Sequence, residues 1–73
     1  MNRTYLVVIE KAADGSYSAY VPDLPGCVSC ADSVEELKLS IKEAIEMYIQ
    51  DLIADGEPVP EPTTQYLELP VAL

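Results

Sequence analysis

Ser33 to Leu52 reads SVEELKLSIKEAIEMYIQDL, and this stretch decides the fold. Ser33-Val34-Glu35-Glu36 is a capping box: the Ser33 hydroxyl accepts the backbone N–H of Glu36, whose side chain can reach back to the cap. Asp32 is an alternative cap. Val34, Leu37, Ile41, Ala44, Ile45, Tyr48, Ile49 and Leu52 then recur at three- and four-residue spacing, one wide apolar stripe on a helix. Gly56 is placed to end that helix in the left-handed conformation. A stripe of this width must lie on another element, and the flanking sequence supplies strands.

Upstream, Thr4 to Glu10 (TYLVVIE) is apolar on both alternating sets, with Tyr5, Val7 and Ile9 on one side and Leu6 and Val8 on the other. Such a strand belongs in the middle of a sheet. Asp14-Gly15 supplies a hairpin turn, because both residues tolerate the positive φ it needs. Ser16 to Val21 then alternates as a half-buried strand antiparallel to the first. Pro22-Asp23-Leu24-Pro25-Gly26 cannot continue the ladder, since proline has no N–H to donate. Pro25-Gly26 suits the centre of a type II turn, and a short third strand is expected from Cys27 to about Ala31. Downstream of the helix, Glu57 to Pro62 is a proline-rich extended connector. Thr64 to Leu69 looks like a last strand with Leu67 and Leu69 inward.

The fold class expected is therefore α+β in the order β-β-β-α-β, a small mixed four-stranded sheet with one long helix on one face. Residues 1–73 form one domain. A single helix covers one face, yet the first strand is apolar on two; the second face wants a cover, most simply another copy of the chain. A homodimer or a dimer of dimers is expected.

Composition narrows the function. A chain of 73 residues buries only about 60% of its unfolded surface and has little stability to spare. Thirteen acidic residues stand against four basic ones, Arg3, Lys11, Lys38 and Lys42, for a net charge of −9. Nucleic-acid binders neutralise phosphates with clustered cations, so direct binding of DNA or RNA is not expected. Acidity serves solubility, or it steers in a basic partner. The chain opens Met-Asn-Arg-Thr with no export signal and holds no long apolar run, so no membrane role is expected. Two cysteines without an export signal point to the cytoplasm.

Motifs with chemical potential have plainer explanations. Cys27-Val28-Ser29-Cys30 precedes the helix cap and sits in a strand, where a three-residue offset puts the thiols on opposite faces. No histidine or further cysteine completes a zinc site, and two buried small hydrophobes is the better reading. Glu10, Asp14, Asp23 and Asp32 offer carboxylates of the kind that hold Mg²⁺, but Asp14 suits the hairpin turn, Asp23 the Pro-rich turn and Asp32 the helix cap. Without histidine the commonest general base is missing. No catalytic residue, metal or cofactor is expected. On the helix, Leu39 and Met47 fall outside the apolar stripe, among Glu36, Glu43 and Gln50. With Glu46 they form a candidate partner surface, an apolar centre in an acidic rim that suits a basic protein. Lone exposed apolar residues are also ordinary.

Over nearly its whole length the chain resembles the HicB family of antitoxins. The resemblance rests on Tyr5-Leu-Val-Val-Ile9, on Asp14-Gly15-x-Tyr17-x-Ala19-x-Val21-Pro22-Asp23-Leu24-Pro25-Gly26-Cys27, on Asp32-Ser-Val-Glu-Glu36 with the long helix, and on Gly56-Glu-Pro-Val-Pro60. It implies a partial ribonuclease-H-like sheet lacking the catalytic carboxylates, and an antitoxin that covers the active surface of a small basic HicA-like ribonuclease. Cys30-Ala31 departs from the commoner family pattern, which has a glycine just before the capping Asp. Many members carry a C-terminal DNA-binding segment; none follows here, and operator binding by this chain is not expected. Many short members have no obvious toxin partner. The alternative is therefore an orphan oligomeric interaction or ligand-binding module, and an enzyme is the least favoured third class.

Overall fold

The capped stripe forms helix α1, Val34–Ala54, in a computed structural model that describes residues 3–73. Met1 and Asn2, part of the opening read for a targeting signal, lie outside the described residues. Ser33 is the N-cap, with extended backbone and a hydroxyl that accepts the Glu36 N–H at 3.2 Å. Glu35 and Glu36 sit in the first turn, where the helix dipole favours negative charge. At the other end Gly56 takes φ +71°. Its N–H donates to the Ile53 carbonyl (3.1 Å), and the Glu57 N–H donates to Leu52 (2.9 Å). That pair of bonds is a Schellman closure, and it needs the left-handed residue that glycine supplies.

Three strands precede the helix: β1 (Val8–Lys11), β2 (Tyr17–Tyr20) and β3 (Val28–Ala31). They form an antiparallel sheet in the order β1-β2-β3. Asp14 makes the first turn as expected: its carboxylate accepts the Ser16 hydroxyl (2.7 Å) and the Ser16 N–H (3.0 Å). Those bonds, the hydroxyl's first, hold its pKa below the ordinary carboxylate value. Between β2 and β3 run two consecutive turns, closed by Leu24 N–H to Val21 (3.0 Å) and Cys27 N–H to Leu24 (3.0 Å). Pro25 and Gly26 are central in the second, and Gly26 at φ +84° gives the type II geometry. The loop thereby folds Leu24 into the core, where it is fully buried.

The core is small: Ala19, Val21, Leu24, Cys27, Leu37 and Ile41, with Tyr5, Val7, Tyr17, Ala31, Ala44, Ile45 and Tyr48 packed around it. Helix α1 lies over β3 and β2 and does not reach β1. A hydrogen bond between the Ser29 and Ser40 hydroxyls ties it to β3.

Four expectations are corrected. Residues 64–69 form no strand, and Leu67 and Leu69 are exposed (79% and 70%) rather than inward; the sheet has three strands. Just upstream, Thr63 and Thr64 are held by Asp23 in the loop that follows β2. β1 is accordingly an edge strand, not a central one. It also begins at Val8 instead of Thr4. With Val8 opposite Tyr20, residues 4–7 would face residues 21–24, which have already turned away at Pro22. Finally, Cys30 is exposed. Its neighbour Ser29 faces α1, so Cys30 points to the sheet face that no helix covers.

Candidate protein-binding site

Helix geometry sorts the side chains of α1. At 3.6 residues per turn, Leu37, Ile41, Ala44, Ile45 and Tyr48 share the side that meets the sheet, while Glu36, Leu39, Glu43, Met47 and Gln50 fall together on the opposite side, with Glu46 at its margin. The structure bears this out in exposure: Leu39 is 69% exposed and Met47 64%, and Glu36, Glu43, Glu46 and Gln50 are all exposed. The five sequence-predicted residues are thus brought onto one outward surface, an apolar pair just over two turns apart within an acidic surround.

A second surface was not anticipated. Because α1 stops short of β1, a groove of about 1030 Å³ runs between them. Tyr5, Val7 and Ile9 line one wall, and Ile41, Ile45 and Ile49 the other. Three of the chain's four cations, Arg3, Lys38 and Lys42, stand along it. A hint was readable in advance: Lys38 and Lys42 lie one turn apart beside Ile41 and Ile45, and so flank the stripe. The far face of the sheet is a third exposed area. There Val8, Tyr20 and Val28 sit side by side in register, Tyr20 being 43% exposed and Val28 64%.

Asp23 has a role that local sequence does not disclose. Its carboxylate accepts the N–H and hydroxyl of Thr63 (3.2 and 3.1 Å) and of Thr64 (3.0 and 2.8 Å), some 40 residues away. The Thr64 bonds lead in holding its pKa below the ordinary value. Nearby, the Tyr5 hydroxyl donates to the Pro60 carbonyl (2.6 Å) and the Arg3 guanidinium donates to Val59 and pairs with Glu61 at 3.2 Å. The proline-rich connector is therefore fastened across the end of the sheet at several points.

The remaining chemical candidates are dispersed. Asp14 and Asp23 are engaged at separate turns, and among the described residues no group of three His, Cys, Asp or Glu side chains could hold a metal ion. Cys27 is buried in the core, and burial pushes its thiol pKa up, away from the reactive thiolate. No helix among the described residues is long and apolar enough to cross a membrane.

Fold and surface together define a small α+β protein that presents exposed apolar patches within a strongly acidic chain. Comparison with known proteins gives the family. A model of the HicB-like antitoxins of bacterial toxin–antitoxin systems matches residues 5–69, and the chain belongs to that family. UPF0150 protein ssr1765 of Synechocystis sp. is 51% identical over 57 residues, 78% of this chain and 72% of that protein. A 14.9 kDa protein from the rep-hol intergenic region of Haemophilus phage HP1 is 43% identical over 68 residues; the match covers 90% of this chain but half of the phage protein. Among solved structures, a chain of the HicA3 and HicB3 toxin-antitoxin complex superimposes with a TM-score of 0.69 at 28% identity, covering 84% of this chain and 70% of that one.

Proposed function

We propose that this chain is an antitoxin that binds a small basic HicA-like ribonuclease in the cytoplasm and silences it by steric cover, without catalysis of its own. The observation that carries the reading is the outer face of α1, where exposed Leu39 and Met47 lie among Glu36, Glu43 and Glu46. Family membership and the likeness to a chain from a toxin–antitoxin complex support it. The charge of −9 draws a cationic protein in and raises the association rate. Affinity then rests on a few desolvated apolar contacts at the centre of the patch, which the surrounding carboxylates shield from water. The groove beside β1 suits such a partner poorly, because its cations would repel it.

The test is co-expression with whichever small basic protein is encoded beside this chain. Rescue of growth, together with a complex that survives purification, is the expected result. If that protein is toxic and this chain neither binds it nor relieves the toxicity, the reading fails.

A further inference from the structure

We propose that a basic partner docks on the free edge of β3, adding a strand of its own beside Val28 and Cys30 along the acidic flank of α1. The inference rests on the reading of the partner as a small basic protein, and it names the backbone that receives it. β3 pairs only with β2, so its other edge is open. The Val21 N–H donates to the Cys27 carbonyl (3.1 Å), which makes these two a hydrogen-bonded pair of the antiparallel ladder. By alternation Ala31 and Ser29 bond to β2, at Tyr17 and Ala19. Val28 and Cys30 therefore turn their N–H and carbonyl groups to the free edge. Among the described residues no other backbone group answers them.

The edge is also unguarded. Natural edge strands are blunted by charge, proline or a bulge. Val28-Ser29-Cys30-Ala31 has neither charge nor proline, and its register against β2 runs without a bulge. β1, the other edge strand, carries Glu10 and Lys11. When a strand adds to such an edge, main-chain bonds supply affinity and the flanking side chains choose the partner.

Here those side chains are acidic. Glu36, Ser40, Glu43 and Met47 follow at four-, three- and four-residue spacing, one stripe along α1. The Ser40 hydroxyl is bonded to Ser29 of β3, so the stripe lies on the β3 flank of the helix. Glu36, Ser40 and Asp32 share a recess with Cys30. The four cations stand elsewhere: Lys38 and Lys42 line the opposite flank, Arg3 is paired with Glu61, and Lys11 ends β1. An added strand alternates its side chains between two faces. Lysines or arginines on one face meet Glu36 and Glu43, and apolar residues on the other extend the row of Val8, Tyr20 and Val28. A second copy of this chain suits the edge poorly, because pairing β3 with β3 brings two acidic stripes together.

Amide hydrogen exchange of the full chain, read by NMR, tests this with two probes. One is whichever small basic protein is encoded beside the chain; the other is a short capped peptide alternating lysine and valine. With either bound, the Val28 and Cys30 amides are expected to exchange at least about tenfold more slowly. The outward amides of Ile9 and Lys11 on the β1 edge should keep their rates. Cys30→Pro removes an outward N–H without touching the β2 ladder and should weaken binding by about tenfold or more. Cys30→Lys, at an exposed site, keeps the backbone intact, sets a cation at the edge and should weaken binding likewise, so the test survives a proline variant that fails to fold. Slowing at the β1 edge instead, no slowing with either probe, or full binding by the folded variants would overturn the proposal. Rescue of growth is scored separately. Rescue with Val28 and Cys30 unprotected sinks this inference alone, whereas peptide capture at β3 without binding of the neighbouring protein sinks only the antitoxin reading.

Discussion

Leu24 offers the sharpest test of how the core is built, because it lies in a loop and yet is fully buried. Replacing it by alanine deletes three carbons from the centre of the cluster formed with Leu37, Val21 and Cys27. At about 0.8 kcal/mol per buried methylene the transfer term alone is roughly 2.4 kcal/mol. The loop is pinned by the Val21–Leu24 and Leu24–Cys27 turns and cannot collapse freely into the void. A cavity term therefore adds, for a total of about 3 to 5 kcal/mol. At about 0.05–0.15 kcal/mol per residue, the whole chain of 73 has only roughly 4–11 kcal/mol to lose.

Urea and thermal unfolding followed by circular dichroism, at one fixed protein concentration because association stabilises, measure the difference. Leu24→Ala is expected to lower the thermal midpoint by at least about 12 °C, taking roughly 4 °C per kcal/mol for a domain of this size. Leu39→Ala, at a 69% exposed helical site, is the matched control and should stay within about 0.5 kcal/mol of the wild type. If Leu24→Ala also stays within 1 kcal/mol, the Pro22–Cys27 loop is a surface connection and the description of the core is wrong.

Gly56→Ala places a Cβ at φ +71° and is expected to cost about 1 kcal/mol in the same assay; no loss would mean that the Schellman closure contributes nothing. The lowered pKa of Asp23 means that its clasp contributes stability above the ordinary value of 3.8 and loses it as pH falls through the lower folded value. The Thr63 and Thr64 amides should accordingly hold their NMR shifts from pH 7 to pH 5 and move only in stronger acid, whereas Asp23→Asn should displace them at pH 7. Persistence of the wild-type shifts in Asp23→Asn would refute the clasp. Reversing Glu36, Glu43 and Glu46 to lysine takes the charge from −9 to −3, six units across three sites. It should slow toxin capture by about tenfold or more at low salt, with dissociation changed less. An unchanged association rate would move the contact off the outer helix face.

What could be read in advance divides along a physical line. A helix is bonded to itself, each N–H to the carbonyl four residues back, so its cap at Ser33, its stripe and its stop at Gly56 are all written within about 24 consecutive residues. The hairpin at Asp14 and the type II turn at Gly26 are equally local, and both stand where the residues placed them. The outer helix face with Leu39 and Met47 follows from the same periodicity.

Strand partners are a different matter. Alternation in residues 4–10 and 64–69 tells which side chains share a face but carries no information about which edge, or which chain, receives the backbone bonds. The two-sided apolar character of residues 5–9 is real, yet it does not by itself require a central strand of one chain's sheet. One side packs beside α1 in a groove the helix leaves open, and the other side faces solvent with Tyr20 and Val28. Just before the expected fourth strand stands the clasp of Asp23, a residue that any local reading assigns to its own turn. Its carboxylate instead holds Thr63 and Thr64 across 40 positions. The same long-range bond that defeats the local reading stands immediately before the strand-patterned residues Leu67, Leu69 and Val71, which stay exposed outside the core.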